Sequence, residues 1–388
     1  MAAIRVVQLG CGITGVVCAE HLAKHPKTDE LVLADKQIDA AKSLAARLKN
    51  DKLSVQKVDA SDKSQLKRML KGCDLAVTSV PSELNPTLLE TAISVGTNYV
   101  DFTVPLELIP KFEEMDGRCK KAGMIALTGV GSDPGISDVF AVRAVSKLDE
   151  VHEIHIRDAD NALSSEHEYF TLWSPRDMIE ELTMKAAIYR HGGVTWLPPL
   201  HQVEHFIFPD PIGQLPVYNT THEETFLLPK FIDGVRQVDF KIAVWDNLAK
   251  LANTIRKIGM HSLSYVRVDG HDVKPIDVVA ECLPRPVDMI GKVTGSSCVL
   301  VDVVGIRNGE KTVVRTWVAM THDVAFRNHR TSATGYLVGT GGAAGAELVL
   351  SGDVGESGLY VPELLPTDKF VERIACKDLP PHQEISVL

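Results

Sequence analysis

At 388 residues and 42.4 kDa the chain exceeds one ordinary compact domain, so two domains are expected. An apolar fraction of 45% with 24% charged residues fits a chain with a real core, and the formal charge of −10 argues against nucleic acid or anionic membrane as a partner. No segment reads as transmembrane, and the first residues run straight into a strand pattern without a secretion signal. Seven scattered cysteines with no CxxC pair argue against a zinc site or a disulfide framework; a cytoplasmic location and no metal are expected.

Residues 4–9 predict a short strand, which breaks into the turn Gly10-Cys11-Gly12-Ile13-Thr14-Gly15 and then a helix with Val16, Val17, Ala19, Leu22 and Ala23 available for burial. LVLAD, ending at Asp35, predicts the second strand, residues 38–48 a helix, and SVQKVDA the third strand. Residues 64–70 predict a helix, DLAVTSVP a strand, 86–95 a helix, and NYVDFT and MIALTG two further strands. Strands alternating with helices of this length imply a parallel sheet covered on both faces.

The glycine turn has a strand before it, a helix after it and Asp35 one unit further on. In that setting Gly10 permits the tight turn, Gly12 lets backbone approach a pyrophosphate, and Gly15 lets the helix pack closely, so a dinucleotide is expected. Asp35 suits an adenosine ribose and repels a 2′-phosphate, which favours NAD; Lys36 softens that repulsion and leaves NADP less favoured. Asp59-Ala60 can border the adenine, or Asp59 is a surface cap, and Ser79-Val80-Pro81 closes the fourth strand at the carboxyl edge where the cofactor would lie.

Beyond residue 133 the pattern changes. Asp133-Pro134-Gly135 is a turn before a helix carrying Val139, Phe140, Val142 and Val145, and VHEIHIRD predicts a strand. SPRDMIEELTMKAAIYRHGG predicts a helix from Ser174-Pro175 to near Gly192. Asp269-Gly270 and Asn308-Gly309 predict two-residue hairpins, and QVDFKIAV a strand. GYLVGTGGAAGAELVLSG predicts a helix whose small residues allow close packing. The fold class is α/β: an N-terminal Rossmann dinucleotide-binding domain (1–133), an α+β substrate or dimerisation domain with a mostly antiparallel sheet (134–330), and a C-terminal segment (331–388).

LGCGITG, LADK, VDASD, KGCDLAV, YVDFT, the GVGSDPG turn, FTLWSPRDMIEELTMKAA, LHQVEHFIFPDPIGQLPVYNTTHEET and ATGYLVGTGGAAGAELVLSGDVGESGLYVPELL together resemble the saccharopine dehydrogenase-like family, and within it the L-lysine 6-dehydrogenase branch. The resemblance covers nearly the whole chain. It implies NAD(P) in the first domain, an amino acid, diamine or opine-like substrate in an interdomain cleft, hydride chemistry at a C–N bond, a C-terminal segment returning to the first domain, and a homodimer. Two stretches depart from that branch: DFKIAVWDNLAK keeps Lys241 but has Trp245-Asp246-Asn247 where an Arg-Gly-His segment is usual, and TMKAA around Lys185 also differs. The departures imply changed substrate recognition with the hydride chemistry kept, or a nucleotide sensor that has lost catalysis; a saccharopine or carboxynorspermidine-type opine reductase is the second enzyme reading, whose usual NADPH Asp35 argues against.

Oxidising or forming such a bond needs a group that moves a proton near neutral pH, a task suited to histidine. His222, in Thr220-Thr221-His222-Glu223-Glu224-Thr225, is the candidate acid/base, with Glu223 or Glu224 to hold a substrate ammonium; an ordinary polar surface turn is the other reading. Asp133 either orients the substrate amine or caps the following helix. Lys241, opposite in strand alternation to Val238, Phe240 and Ile242, either faces the cleft as a base or carboxylate ligand or points to solvent. Arg157, Glu168 and Arg285 are further substrate-binding candidates.

Overall fold

The structure is a computed structural model that describes residues 3–388. It divides into two compact units, Met1–Arg143 with Tyr336–Pro381 and Ala144–Gly335 with His382–Leu388. The division falls after the helix Ile136–Val145 has almost ended rather than at residue 133, and the last strand of the chain joins the second unit instead of staying with the C-terminal segment.

The first unit is built on seven described parallel strands in the order Gly358–Tyr360, Ile125–Leu127, Asn98–Asp101, Leu75–Thr78, Arg5–Leu9, Glu30–Asp35 and Leu53–Lys57. The order reverses between Arg5–Leu9 and Leu75–Thr78, and in open sheets of this kind ligands bind at the carboxyl ends beside such a reversal. Val6, Val7, Leu31, Leu33, Leu75 and Val77 are fully buried or nearly so, as near-continuous apolar strands covered on both faces must be.

The helix Ala333–Ser351 supplies the explanation of its own glycines. Within the first unit, a Cβ at Gly339 would run into the Thr14 carbonyl and Val17, at Gly341 into the Gly131 carbonyl, at Gly342 into the Phe102 ring, and at Gly345 into Val130. The helix can lie against both the dinucleotide turn and the Gly129–Gly135 turn only because it lacks side chains there. Gly341→Ala meets backbone, which cannot rotate away, so it is expected to destabilise the first unit by about 1–3 kcal/mol. Thermal unfolding checks this; an unchanged midpoint would contradict it.

The second unit holds a mixed sheet of nine described strands. Its main path runs Gly193–Leu197, Ala186–Arg190, Gln237–Ala243, Glu150–Asp160, Ser296–Arg307, Glu310–Thr321 and His382–Val387, and the hairpin His201–Phe208/Gly213–Asn219 attaches to Gln237–Ala243. Pairing is antiparallel except between Gln237–Ala243 and Glu150–Asp160. Both predicted two-residue turns occur, with left-handed backbone at Asp269 and Gly270 (φ 47° and 85°) and at Asn308 and Gly309 (φ 52° and 82°).

One predicted element differs. The helix starting at Pro175, capped by the Ser174 hydroxyl that accepts from the Asp177 N–H, stops at Thr183. Residues Ala186–Arg190 then form a strand, hairpinned through His191 and Gly192 (φ 53° and 83°) to Gly193–Leu197. The HGG triplet that reads as a helix stop is a β-turn, and Ala186, Ala187 and Ile188 are buried by the sheet.

Candidate active site

In the first unit the dinucleotide turn fits its cofactor. A Cβ at Gly10 (φ +92°) would strike the Ser79 backbone and one at Gly15 the Gly10 carbonyl, whereas at Gly12 nothing lies within 4 Å. The two flanking glycines are therefore required by packing and the middle one faces open space, as close approach of a pyrophosphate demands. Ile13 is buried, and Thr14 precedes the helix Gly15–Lys24 without a side-chain cap, leaving that terminus to an anion.

Asp35 closes the second strand with both carboxylate oxygens engaged: Oδ2 accepts from the Cys11 N–H at 2.8 Å and Oδ1 from the Gln37 N–H at 2.7 Å. A carboxylate has about four acceptor sites, so one on each oxygen remains for a ribose diol. Lys36 is 3.4 Å from Asp59, an ion pair that engages this neighbouring cation with another acid. Asp59 also accepts from the Ser61 N–H and hydroxyl, which hold its carboxyl below the usual range, while Ala60 is buried. The Ser79 hydroxyl donates to the Gly10 carbonyl at 3.0 Å and locks the fourth strand to the turn; Val80 is half-buried and Pro81 exposed.

Asp133 follows Ser132, whose hydroxyl donates to its carboxylate; it belongs to the first unit, on the turn that Gly135 (φ +132°) closes against Gly131. The helix after this turn has its own acid, because Asp138 accepts from the Gly135 N–H at 2.7 Å. Asp101, which the sequence did not single out, ends its strand fully buried. Burial pushes its carboxyl up to about 6 against the opposing bonds from Thr128, Tyr99 and the Gly129 N–H.

In the second unit the predicted residues separate onto two sheet faces. His222 stacks on Phe240 with ring centroids 3.9 Å apart, and its Nδ1 lies 2.6 Å from Glu224 and 3.3 Å from Glu223. Burial opposes a charge on this ring, but the two carboxylates outweigh it and raise the His222 pKa well above that of free histidine. Glu181, bonded by the Thr220 hydroxyl at 2.9 Å, has its pKa raised by burial. His222, Glu223 and Glu224 bring one potential ligand atom each to within 4.8 Å of one another, but Nδ1 is committed to the ion pair.

Lys241 sits next to Phe240 on the strand and therefore points to the opposite face. There its ammonium pairs with Glu204 at 2.8 Å, and Arg157 pairs with the same Glu204 at 3.1 Å and with Asp239 at 2.6 Å. His155 joins the network through Asp239. Lys241 and Arg157 are thus neither solvent-exposed nor grouped with His222; their charges neutralise acids of their own face. Arg285 is exposed and paired with Asp288.

Glu168 lies instead on a cavity of about 440 Å³ at the end of the strand Gln237–Ala243, lined by both Ile242 and Ala243. Its walls carry Tyr169, Phe170, Trp173 and Trp245, and its carboxylates are Asp160, Glu168 and Asp246; His167 is present, but no Lys or Arg lines it. The Asn247 amide donates to Glu168 at 3.3 Å. The Trp245-Asp246-Asn247 departure thus forms part of one wall. Asp160 was not legible as a site residue, because its partners, His322 and Thr334, lie far along the chain.

A Rossmann-type nucleotide turn with an acidic, aromatic cavity in a second α+β unit defines an NAD(P)-binding oxidoreductase. Residues 6–127 match the saccharopine dehydrogenase NADP binding domain and residues 131–377 the saccharopine dehydrogenase C-terminal domain, and the chain belongs to the saccharopine dehydrogenase family. Among its relatives are the carboxyaminopropylagmatine dehydrogenase of Synechocystis sp., 24% identical over 98% of both chains, and the carboxynorspermidine synthase of Vibrio cholerae, 26% identical over 95% of this chain and 94% of the other. The apo saccharopine dehydrogenase (L-Glu forming) from Saccharomyces cerevisiae shares the fold, with a TM-score of 0.72 at 14% identity over 99% of this chain and 100% of the other. Among the described residues no helix is long and apolar enough to cross a membrane.

Proposed function

We propose that this chain is an NAD-dependent oxidoreductase that forms, or in reverse cleaves, the secondary amine joining a diamine or polyamine to an amino-acid aldehyde, a reaction of the carboxynorspermidine type. The observation that carries this reading is the charge of the cavity: three carboxylates and four aromatic rings with no Lys or Arg. Such a lining attracts alkylammonium groups through charge and cation–π contact and has nothing to neutralise a second carboxylate. A saccharopine-like substrate, which brings extra carboxylates, fits this poorly, whereas a diamine brings only ammonium groups to the lining. The relatives named for carboxylated polyamines, matched over nearly their whole length, support the same reading.

Gly10, Gly12, Gly15 and Asp35 would hold the dinucleotide, which when bound supplies or accepts the hydride that interconverts C=N and C–N bonds. Asp35, with Lys36 tied to Asp59, favours NAD over NADP. His222, whose pKa Glu224 and Glu223 raise well above that of free histidine, is suited to donating a proton. Forming the imine needs a neutral amine and releases water, so a proton must be available as the carbonyl oxygen departs, the role proposed for His222.

Absorbance at 340 nm tests the reading. NADH is expected to be consumed only when a diamine such as 1,3-diaminopropane and an amino-acid semialdehyde are both present. NAD reduction by L-lysine alone would return the chain to side-chain deamination, and cofactor binding without turnover on any amine would favour a sensor.

A further inference from the structure

Asp160 ends the strand Glu150–Asp160 on the cavity face, with its side chain only 14% exposed. Its Oδ1 accepts from the Ala162 N–H at 2.8 Å and lies 3.1 Å from His322 Nε2, and its Oδ2 accepts from the Thr334 hydroxyl. His322 is itself 1% exposed, and its Nδ1 accepts from the Ala333 N–H at 3.0 Å. That backbone bond fixes the tautomer: Nδ1 carries no proton, so Nε2 carries it and donates to Asp160. Three of the carboxylate's roughly four acceptor sites are thus filled by protein groups from three separate segments. One site on Oδ2 is left, on a side chain that cannot turn away, within a cavity walled by Trp173, Trp245 and Tyr169. Glu168 and Asp246, in contrast, are exposed and mark the outer rim.

We infer that Asp160, oriented by His322 and Thr334, anchors the distal ammonium of a diamine or polyamine substrate. The inference rests on the amine reading above and adds to it the residue that distinguishes a diamine from a monoamine. One ammonium N–H takes the remaining Oδ2 site, the alkyl chain lies along the aromatic walls, and the reacting nitrogen is directed away from Asp160. A monoamine has no second ammonium and gains nothing from this carboxylate. Thr334 and His322 are positioning residues, acting only through Asp160.

The test is titration calorimetry on the full chain saturated with NAD, with 1,3-diaminopropane and propylamine as probes. Asp160→Asn is expected to weaken diamine binding by about tenfold to a hundredfold, the range for a lost bond to a charged group, and propylamine binding by less than about twofold. Thr334→Val, which keeps the side-chain volume, is expected to cause a smaller loss with the same selectivity, and it carries the test if the Asn variant does not fold. His322→Gln, able both to donate and to accept, is expected to retain more diamine affinity than His322→Phe. Failure of the unsubstituted protein to bind diamine would overturn the amine reading itself. Diamine binding unaffected by Asp160→Asn, or equal loss of both probes, would overturn the anchor alone.

Discussion

His222→Ala is expected to destabilise the second unit by about 3–5 kcal/mol, because it removes the cationic partner of a fully buried carboxylate. Glu224 has no exposed side-chain surface and pairs with the His222 ring at 2.6 Å; the Phe240 stack is lost as well. The wild-type pair also gives stability a pH signature. The folded pKa of His222 is raised, so its contribution is fully present below about 6.5, the ordinary histidine value, and is lost as pH rises through the higher folded value. Denaturant titrations from pH 6 upward should therefore show wild type converging on His222→Gln at alkaline pH. A constant difference across that range would mean that the ring is not charged in the folded state.

Asp35→Asn is expected to weaken NAD binding by about tenfold to a hundredfold, the scale of a charge-assisted hydrogen bond lost, while NADP binding stays level or improves. The prediction separates two roles of one carboxylate. Asp35 braces the glycine turn through the Cys11 N–H, and it presents an acceptor edge where the adenosine ribose would lie. Damage to the turn alone would weaken both cofactors equally, whereas loss of the ribose contact changes their ratio. Equilibrium binding of both dinucleotides to wild type and variant decides between them. Wild type preferring NADP would contradict the assignment of Lys36 to Asp59.

The first unit was legible because each of its signals is local. A strand, a glycine turn, a helix and an acid at the end of the next strand follow one another within 35 residues, and alternating helices and strands force a parallel sheet. The small residues of the helix Ala333–Ser351 were also readable, since close backbone packing is the commonest reason for four glycines in seven positions. The helix predicted through residue 192 failed for a physical reason. Ala186–Arg190 has no pattern that separates a helix from a buried strand, and the partner strand Gly193–Leu197 settles the matter. Alternation along QVDFKIAV correctly turned Lys241 away from Phe240, yet only the structure shows Glu204 and Arg157 on that other face. Asp160, His322 and Thr334 could not have been joined from sequence: they come from a strand end, the start of one helix and the first turn of another.

The proposed reaction transfers hydride to or from the carbon of a C–N bond made with an amine. Mass spectrometry of the product formed from NADH deuterated at the transferred position, a diamine and an amino-acid semialdehyde tests it most directly. The expected product is a carboxylated secondary amine carrying one deuterium on the carbon that gained the new nitrogen. A deuterated alcohol, or an amine product without deuterium, would contradict it.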